Sequence, residues 1–397
     1  MYLLHNFSMV HVRNKDIYKG ALILQDIFEV SDIYVIKIGS STLVDATGEV
    51  DTAYIQKLAD DIAAFKAAGN HVIVVSSGAV AAGMKRLHMH VRPSDIPSLQ
   101  ACAAAGQALL TEAYAQALGA HGISVGQVLL TRHDVCSRET YLNARTTIGT
   151  LLHLGAVPVV NENDTVSVAE FTFGDNDTLG AIVATLVHAD AYIIYTDVDG
   201  LYTANPATDS QARHIDTVHK ITPELMACAT GSVSGVGTGG MSTKLYAARA
   251  ALAAGITTII CNGHHTYSLD DIVQNRVSQT RFVPESTHTP ENARKLWIGI
   301  AEIPQGSVTV DAGAKQALIK DGASLLPVGI REVKGTFHAG DVISVRDEHS
   351  SLIARGISKY SSDDLLVSKG LKLDVIARFM PQKANIPVIH KDELLLF

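Results

Sequence analysis

The chain has 397 residues, 47% of them apolar and 18% charged, and a formal net charge of −8. That length accommodates two or three domains, each able to bury its own core, and the composition excludes a disordered chain. The acidic balance argues against nucleic acid as the main partner while leaving room for a local basic patch.

Cys102, Cys136, Cys228 and Cys261 are far apart and form no C-x-x-C pair. They read as ordinary small residues rather than a zinc site or disulfide framework, and a reducing cytoplasm suits them. No apolar run approaches the roughly 18 residues of a membrane span. The first residues lack the pattern of a cleaved secretory signal. Lys391–Leu394 spells an ER-retention signal, but three residues follow it, so the match is read as chance.

Residues 1–32 form an N-terminal extension of unassigned structure, in which Ala21–Phe28 suits a helix or an added strand equally. Ile33–Ile38 then reads as a buried strand. Apolar strands are expected near 71–75, 124–130, 157–160, 191–195 and 256–260, alternating with helices near 52–68, 96–118, 138–153, 176–188 and 241–254. This alternation implies βαβ units, hence a parallel-sheet α/β sandwich over residues 33–283. Ligands of such sheets sit at the carboxyl ends of the strands. The polar, proline-bounded stretch Pro284–Glu291 marks a linker, placed at 284–294. Beyond it, residues 295–397 carry short β-like runs at Trp297–Ala301, Ser307–Val310, Asp341–Val345 and Leu352–Ile357, the spacing of a small β-barrel or sandwich.

Several loops carry chemistry. Lys37 interrupts an apolar strand and precedes Gly39-Ser40-Ser41. A lysine is costly to bury unless it meets an anion, and small residues let backbone approach a phosphate. A lysine snorkelling from a strand end is the alternative. Ser76-Ser77-Gly78-Ala79 opens a helix, where hydroxyls and free N–H groups suit a substrate carboxylate or serve only as a cap. Asn161-Glu162-Asn163-Asp164 and Gly174-Asp175-Asn176-Asp177 flank an expected hairpin, Thr165–Phe173, that would bring both clusters to one pocket. Amides can donate to a carboxylate and carboxylates can hold an ammonium, as a zwitterionic amino acid requires. Two acidic turns or a Ca²⁺ or Mg2+ site are the other readings. Thr196-Asp197 ends a strand. Gly235–Lys244 is a glycine-rich stretch entering a helix, with phosphate-binding character but without the G-K-[ST] order of a P-loop.

Together Val35–Ser41, Ser76–Ala79, Asn161–Asp164, Gly174–Asp177 and Ser234–Lys244 resemble, in order, the motifs of the amino acid kinase family. Val310–Ala314, Ser324–Ile330 and Ile353–Gly356 resemble a PUA domain. The resemblance implies ATP-dependent phosphorylation of the γ-carboxylate of L-glutamate, the first step toward proline, with Mg2+ accompanying ATP. Lys37 and Lys244 would contact the phosphates, and Asp177 would hold both lysines. Ser77, Asp164 and Asn176 would bind glutamate, with Asn161 and Asp175 close by. Thr196, Asp197 and the loop Thr238, Gly239, Gly240, Met241, Ser242, Thr243 and Lys244 would bind nucleotide. A homo-oligomer and feedback inhibition by proline are also implied.

A γ-carboxylate with a reference pKa of about 4.3 is already ionised at neutral pH. No general base is then needed, so the lack of a catalytic His or Cys motif is expected. The competing readings are a family member acting on a different acceptor, and RNA binding through the C-terminal domain. Residues 295–383 hold 12 Lys and Arg against 10 Asp and Glu, a weak footprint for RNA.

Overall fold

The computed structural model describes residues 32–45, 47–131, 134–135, 138–167, 175–206, 208–222, 224–226, 240–264, 267–285 and 304–396. The N-terminal extension to residue 31, most of the linker, Trp297–Ala301 and most of the hairpin Thr165–Phe173 therefore lie outside the described residues.

Strand β1 (Ile33–Ile38) leads into a single helical turn, α1 (Ser40–Leu43), and then α2 (Thr52–Ala67), β2 (His71–Val75), α3 (Ala79–Arg86) and α4 (Ile96–Gly119). Next come β3 (Val125–Leu130), α5 (Arg138–His153), β4 (Val157–Glu162), α6 (Asn176–Val187) and β5 (Ala191–Thr196). Short strands β6 (Leu201–Tyr202), β7 (His214–Ile215) and β8 (Thr217–Val218) precede α7 (Met241–Ala253), β9 (Thr257–Asn262), α8 (Leu269–Val273) and β10 (Gln279–Phe282). Caps start several helices: Asp51, Asp95 and Asp175 each accept a backbone N–H of the first turn of α2, α4 and α6.

The main sheet has the order β3-β4-β2-β1-β5-β9-β10-β8. It is parallel from β3 to β9, and β10 runs antiparallel to β9. Strands β1, β4 and β5 are buried at every position, as strands covered on both faces must be. Alternate residues feed opposite cores. Val35, Ile73 and Ile194 pack with α6 and α7 on one face. Ile36, Val74 and Ile193 pack with α2 and α4 on the other. The same period of two assigns Lys37 to the α6/α7 face and Asn161 to the α4 face.

Helices α3 and α4 pack backbone to backbone. A Cβ at Gly83 would collide with the Cys102 carbonyl, and one at Gly106 with the Ala79 carbonyl. Glycine is required at both positions for this close approach.

The C-terminal unit comprises β11 (Gly306–Val310), α9 (Ala312–Asp321), β12 (Ile330–Gly335), β13 (Val342–Arg346), β14 (Leu352–Ile357), α10 (Ser362–Ser368), α11 (Leu373–Phe379) and β15 (Leu394–Leu396). Its five strands form one sheet, β12-β11-β13-β14-β15, around a core that includes Val308, Phe337, Ile343 and Tyr360. The three helices were not anticipated. Lys391–Glu393 forms a 3-10 turn and Leu394 begins β15, which pairs with β14, so the apparent retention signal is built into the sheet. Among the described residues no helix is long and apolar enough to cross a membrane.

Candidate active site

The chain leaves β1 toward β2 on one side and returns to pair β5 on the other. Such a reversal opens a crevice at the carboxyl ends of the strands. Lys37 lies in β1, Ser76 and Ser77 follow β2, Asn161 lies in β4, and Thr196 ends β5. Helix α6 then enters this edge with its amino end, carrying Asn176 and Asp177 in its first turn.

On the α6/α7 face, Asp177 is fully buried and bridges two lysines that are each 6% exposed. Lys37 Nζ lies 2.6 Å from Asp177 Oδ1, and Lys244 Nζ lies 3.2 Å from Oδ2. Thr243 Oγ1 shares its one hydrogen between the Gly240 carbonyl, at 2.8 Å, and Oδ2, at 3.0 Å. Burial pushes the Asp177 carboxyl up, but Lys37 and Lys244 outweigh it and hold the group below its ordinary value. Asp175 is pushed the other way, first by burial and then by the Asp177 charge. Two ammonium groups around one buried carboxylate leave an excess of positive charge, suited to a polyanion. Lys37, then, meets an anion supplied by the chain itself.

On the α4 face, amides form a second cluster. Asn176 Nδ2 donates to Asn161 Oδ1 at 2.9 Å, to Ser77 Oγ at 2.9 Å and to the Ser76 carbonyl at 2.8 Å. The two polar clusters expected to converge do meet, through Asn161 and Asn176. Gly78, at φ 92°, caps α3, and a Cβ there would press on Val44 Cγ2 at 2.9 Å. That left-handed residue lets Ser77 leave β2 and face Asn176 before the helix begins. Asp164 sits in the turn after β4, where burial pushes its carboxyl up to about 6 against a smaller opposing pull from Arg92. Asn176 and Asp177 are consecutive, so one helical turn joins the amide cluster to the lysine cluster.

Thr196 and Asp197 lie at the same carboxyl edge, and the Thr196 hydroxyl donates to Asp197 Oδ1 at 3.0 Å. No bond among the described residues links this pair to the lysines. Gly240 caps α7, and Met241 and Ser242 occupy its first turn, but Thr238 and Gly239 lie outside the described residues. Three contributors escaped sequence reasoning. Gln107 accepts from Asn161 Nδ2 at 2.7 Å, Tyr114 accepts from the Ser76 hydroxyl at 3.4 Å, and Tyr192 donates to the Asp177 carbonyl at 2.8 Å. Gln107 and Tyr114 are seven residues apart on α4, and this polar stripe was the available signal.

Comparison with known proteins follows the same division of the chain. The model of the amino acid kinase family matches residues 32–262, and that of the PUA domain matches residues 306–380. A glutamate 5-kinase of Caulobacter vibrioides (strain NA1000 / CB15N) is 46% identical over 373 residues, covering 93% of this chain and 98% of the relative. One of Paramagnetospirillum magneticum (strain ATCC 700264 / AMB-1) is 47% identical over 91% of this chain and 97% of its own length. One of Myxococcus xanthus (strain DK1622) is 44% identical over 91% and 95% respectively. The matched span runs from the strand that carries Lys37 through the helix that carries Lys244, and with it this chain belongs to the amino acid kinase family.

Proposed function

We propose that this chain transfers the γ-phosphoryl group of ATP to the γ-carboxylate of L-glutamate, giving L-glutamyl 5-phosphate and ADP. The observation that carries this reading is the junction of the two clusters at Asn176-Asp177. A charge-neutralising site built on Lys37, Lys244 and Asp177 adjoins a site of amides, a hydroxyl and a carboxylate suited to an amino acid. Relatives that share nearly the whole chain carry the name of that activity.

In this reaction a γ-carboxylate oxygen attacks the γ-phosphorus, and the bond to the bridging oxygen of ADP breaks. The nucleophile is already ionised, so no proton has to be removed. The difficulty is bringing two anions together, and the buried ammonium groups of Lys37 and Lys244 offset that repulsion. Asp177 keeps both lysines extended into the site, and Thr243 orients Asp177. Ser77, Asn161 and Asn176 bind the substrate's carboxylate end, while Asp164 holds its ammonium, with Asp175 nearby. Thr196, Asp197 and residues 238–244 hold the nucleotide.

Mg2+ would be carried on the ATP phosphates and offset their charge, with the Asp175 carboxylate available to help hold it. Among the described residues no group of three His, Cys, Asp or Glu forms a cage for a metal. The same reading makes the product an intermediate toward proline, proline the expected inhibitor, the assembly a homo-oligomer and the compartment the cytoplasm.

The test is ADP release with L-glutamate, L-aspartate, N-acetyl-L-glutamate and carbamate as acceptors. Glutamate is expected to dominate. Equal turnover with N-acetylglutamate would contradict the proposal, because acetylation removes the charge that Asp164 is assigned to hold.

A further inference from the structure

Helix α4 reaches each wall of the amide cluster from a single stripe. Gln100 Nε2 donates to the Ser167 carbonyl at 2.9 Å, Gln107 meets Asn161, and Tyr114 meets Ser76. Gln107 is the middle member, 8% exposed, and next to the glycine that seats α4 against α3.

The hydrogen bonds around Gln107 run in one direction. Thr111 Oγ1 donates to the Gln107 backbone carbonyl at 2.9 Å, which commits its only hydrogen. It then accepts from Gln107 Nε2 at 3.2 Å and from Gln127 Nε2 at 3.0 Å. Gln107 thus presents Nε2 to Thr111 and Oε1 to Asn161. Reversing its amide would set a carbonyl oxygen against an acceptor at Thr111 and an NH₂ group against the Asn161 NH₂. The Glu162 backbone N–H, which can only donate, fixes Asn161 Oδ1 at 2.9 Å, where Asn176 Nδ2 also donates at 2.9 Å, and Asn161 Nδ2 is thereby turned to Gln107. Asn176 in turn donates to Ser77. The order is thus Thr111, Gln107, Asn161, Asn176, Ser77.

We propose that Gln107 is a positioning residue of the acceptor pocket: held by Thr111, it accepts from Asn161 Nδ2 and so keeps Asn161, and through it Asn176, in place. Among the described residues, Gln107 reaches the pocket through those amides. The proposal rests on the assignment of Asn176 and Ser77 to glutamate.

Gln107→Met keeps the length of the side chain and removes the acceptor. Loss of one buried partner corresponds to a rise on the order of tenfold in the glutamate KM, with the ATP KM unchanged and kcat little affected. Thr111→Val should raise the glutamate KM in the same sense by less, and Thr111→Ser, which keeps the hydroxyl, should restore it. A second measurement does not depend on the substrate: the side-chain amide NMR signals of Asn161 and Asn176 should shift in Gln107→Met and stay in place in Thr111→Ser. A purely structural role would instead lower the melting temperature and weaken both substrates together, and that result overturns the proposal. So does a folded Gln107→Met protein with an unchanged glutamate KM and unmoved amide signals. If the unmodified protein fails to use glutamate while the amide signals of Gln107→Met move, the substrate reading fails and the positioning role stands.

Discussion

At the scale of single residues, Asp177 is under a strong electrostatic constraint. It is a fully buried carboxylate with an ammonium group on each oxygen. Its removal and the removal of a lysine should therefore have different signatures. Asp177→Asn leaves two buried ammonium groups without their counter-charge, and a loss of about 3–5 kcal/mol is expected in a denaturant titration. Lys37→Ala or Lys244→Ala leaves Asp177 one ammonium partner, so less stability is lost. Either lysine variant should lower kcat by roughly 10²–10³-fold with a smaller effect on the glutamate KM. A folded Lys244→Ala protein with near-normal kcat would remove that lysine from the mechanism.

Asp164 offers a test by pH. Its carboxyl is pushed up to about 6 by burial, so it gains a proton as the pH falls through that value. The protonated form has no charge with which to hold the glutamate ammonium. The glutamate KM should rise as the pH drops through about 6, and Asp164→Asn should have a high KM that no longer varies over that range. A flat profile in the unmodified protein would take Asp164 out of ammonium binding. Of these residues, Lys37 was legible as a charge out of place in an apolar strand, and the Asn and Asp clusters as unusually dense turns. That Asp177 serves both lysines came from a family resemblance. No spacing rule reveals it, because Lys244 is 67 residues further along the chain.

At the scale of elements, legibility followed the strength of the pattern. The strands from β1 to β5 and β9 are short apolar runs, and α2, α4, α5, α6 and α7 are long enough to show a periodic face, so all were located to within a few residues. Strand β10 reads Gln-Thr-Arg-Phe and looks like a surface loop. Its donors are answered where it is buried: Gln279 Nε2 donates to the Ile272 carbonyl at 2.9 Å, and Thr280 Oγ1 to the Ile215 carbonyl at 2.6 Å. Helices α10 and α11 have seven residues each, too few for a periodic signal. Only the capping box of Ser361 and Asp364 announces α10. The Gly83–Gly106 contact was equally hidden, since each glycine alone reads as a weak spot in a helix, and their meaning appears only when α3 and α4 are placed side by side.

At the scale of the molecule, the two halves of the site are held on opposite faces of one sheet. The lysine triad belongs to the α6/α7 face and the amide cluster to the α4 face, and they meet only over the carboxyl edge, at the amino end of α6. All the residues proposed for the site precede residue 245, and the main sheet is complete at Phe282, ahead of the C-terminal sheet. Within a chain of net charge −8, Lys37 and Lys244 set two buried ammonium groups around the one carboxylate of Asp177. Trapping the product decides whether this site moves a phosphoryl group onto a side-chain carboxylate. The full chain should be incubated with ATP, Mg2+, L-glutamate and hydroxylamine, which converts an acyl phosphate to a hydroxamate. γ-Glutamyl hydroxamate is expected in an amount equal to the ADP released. ADP without hydroxamate, or a hydroxamate on the α-carboxylate, would contradict it.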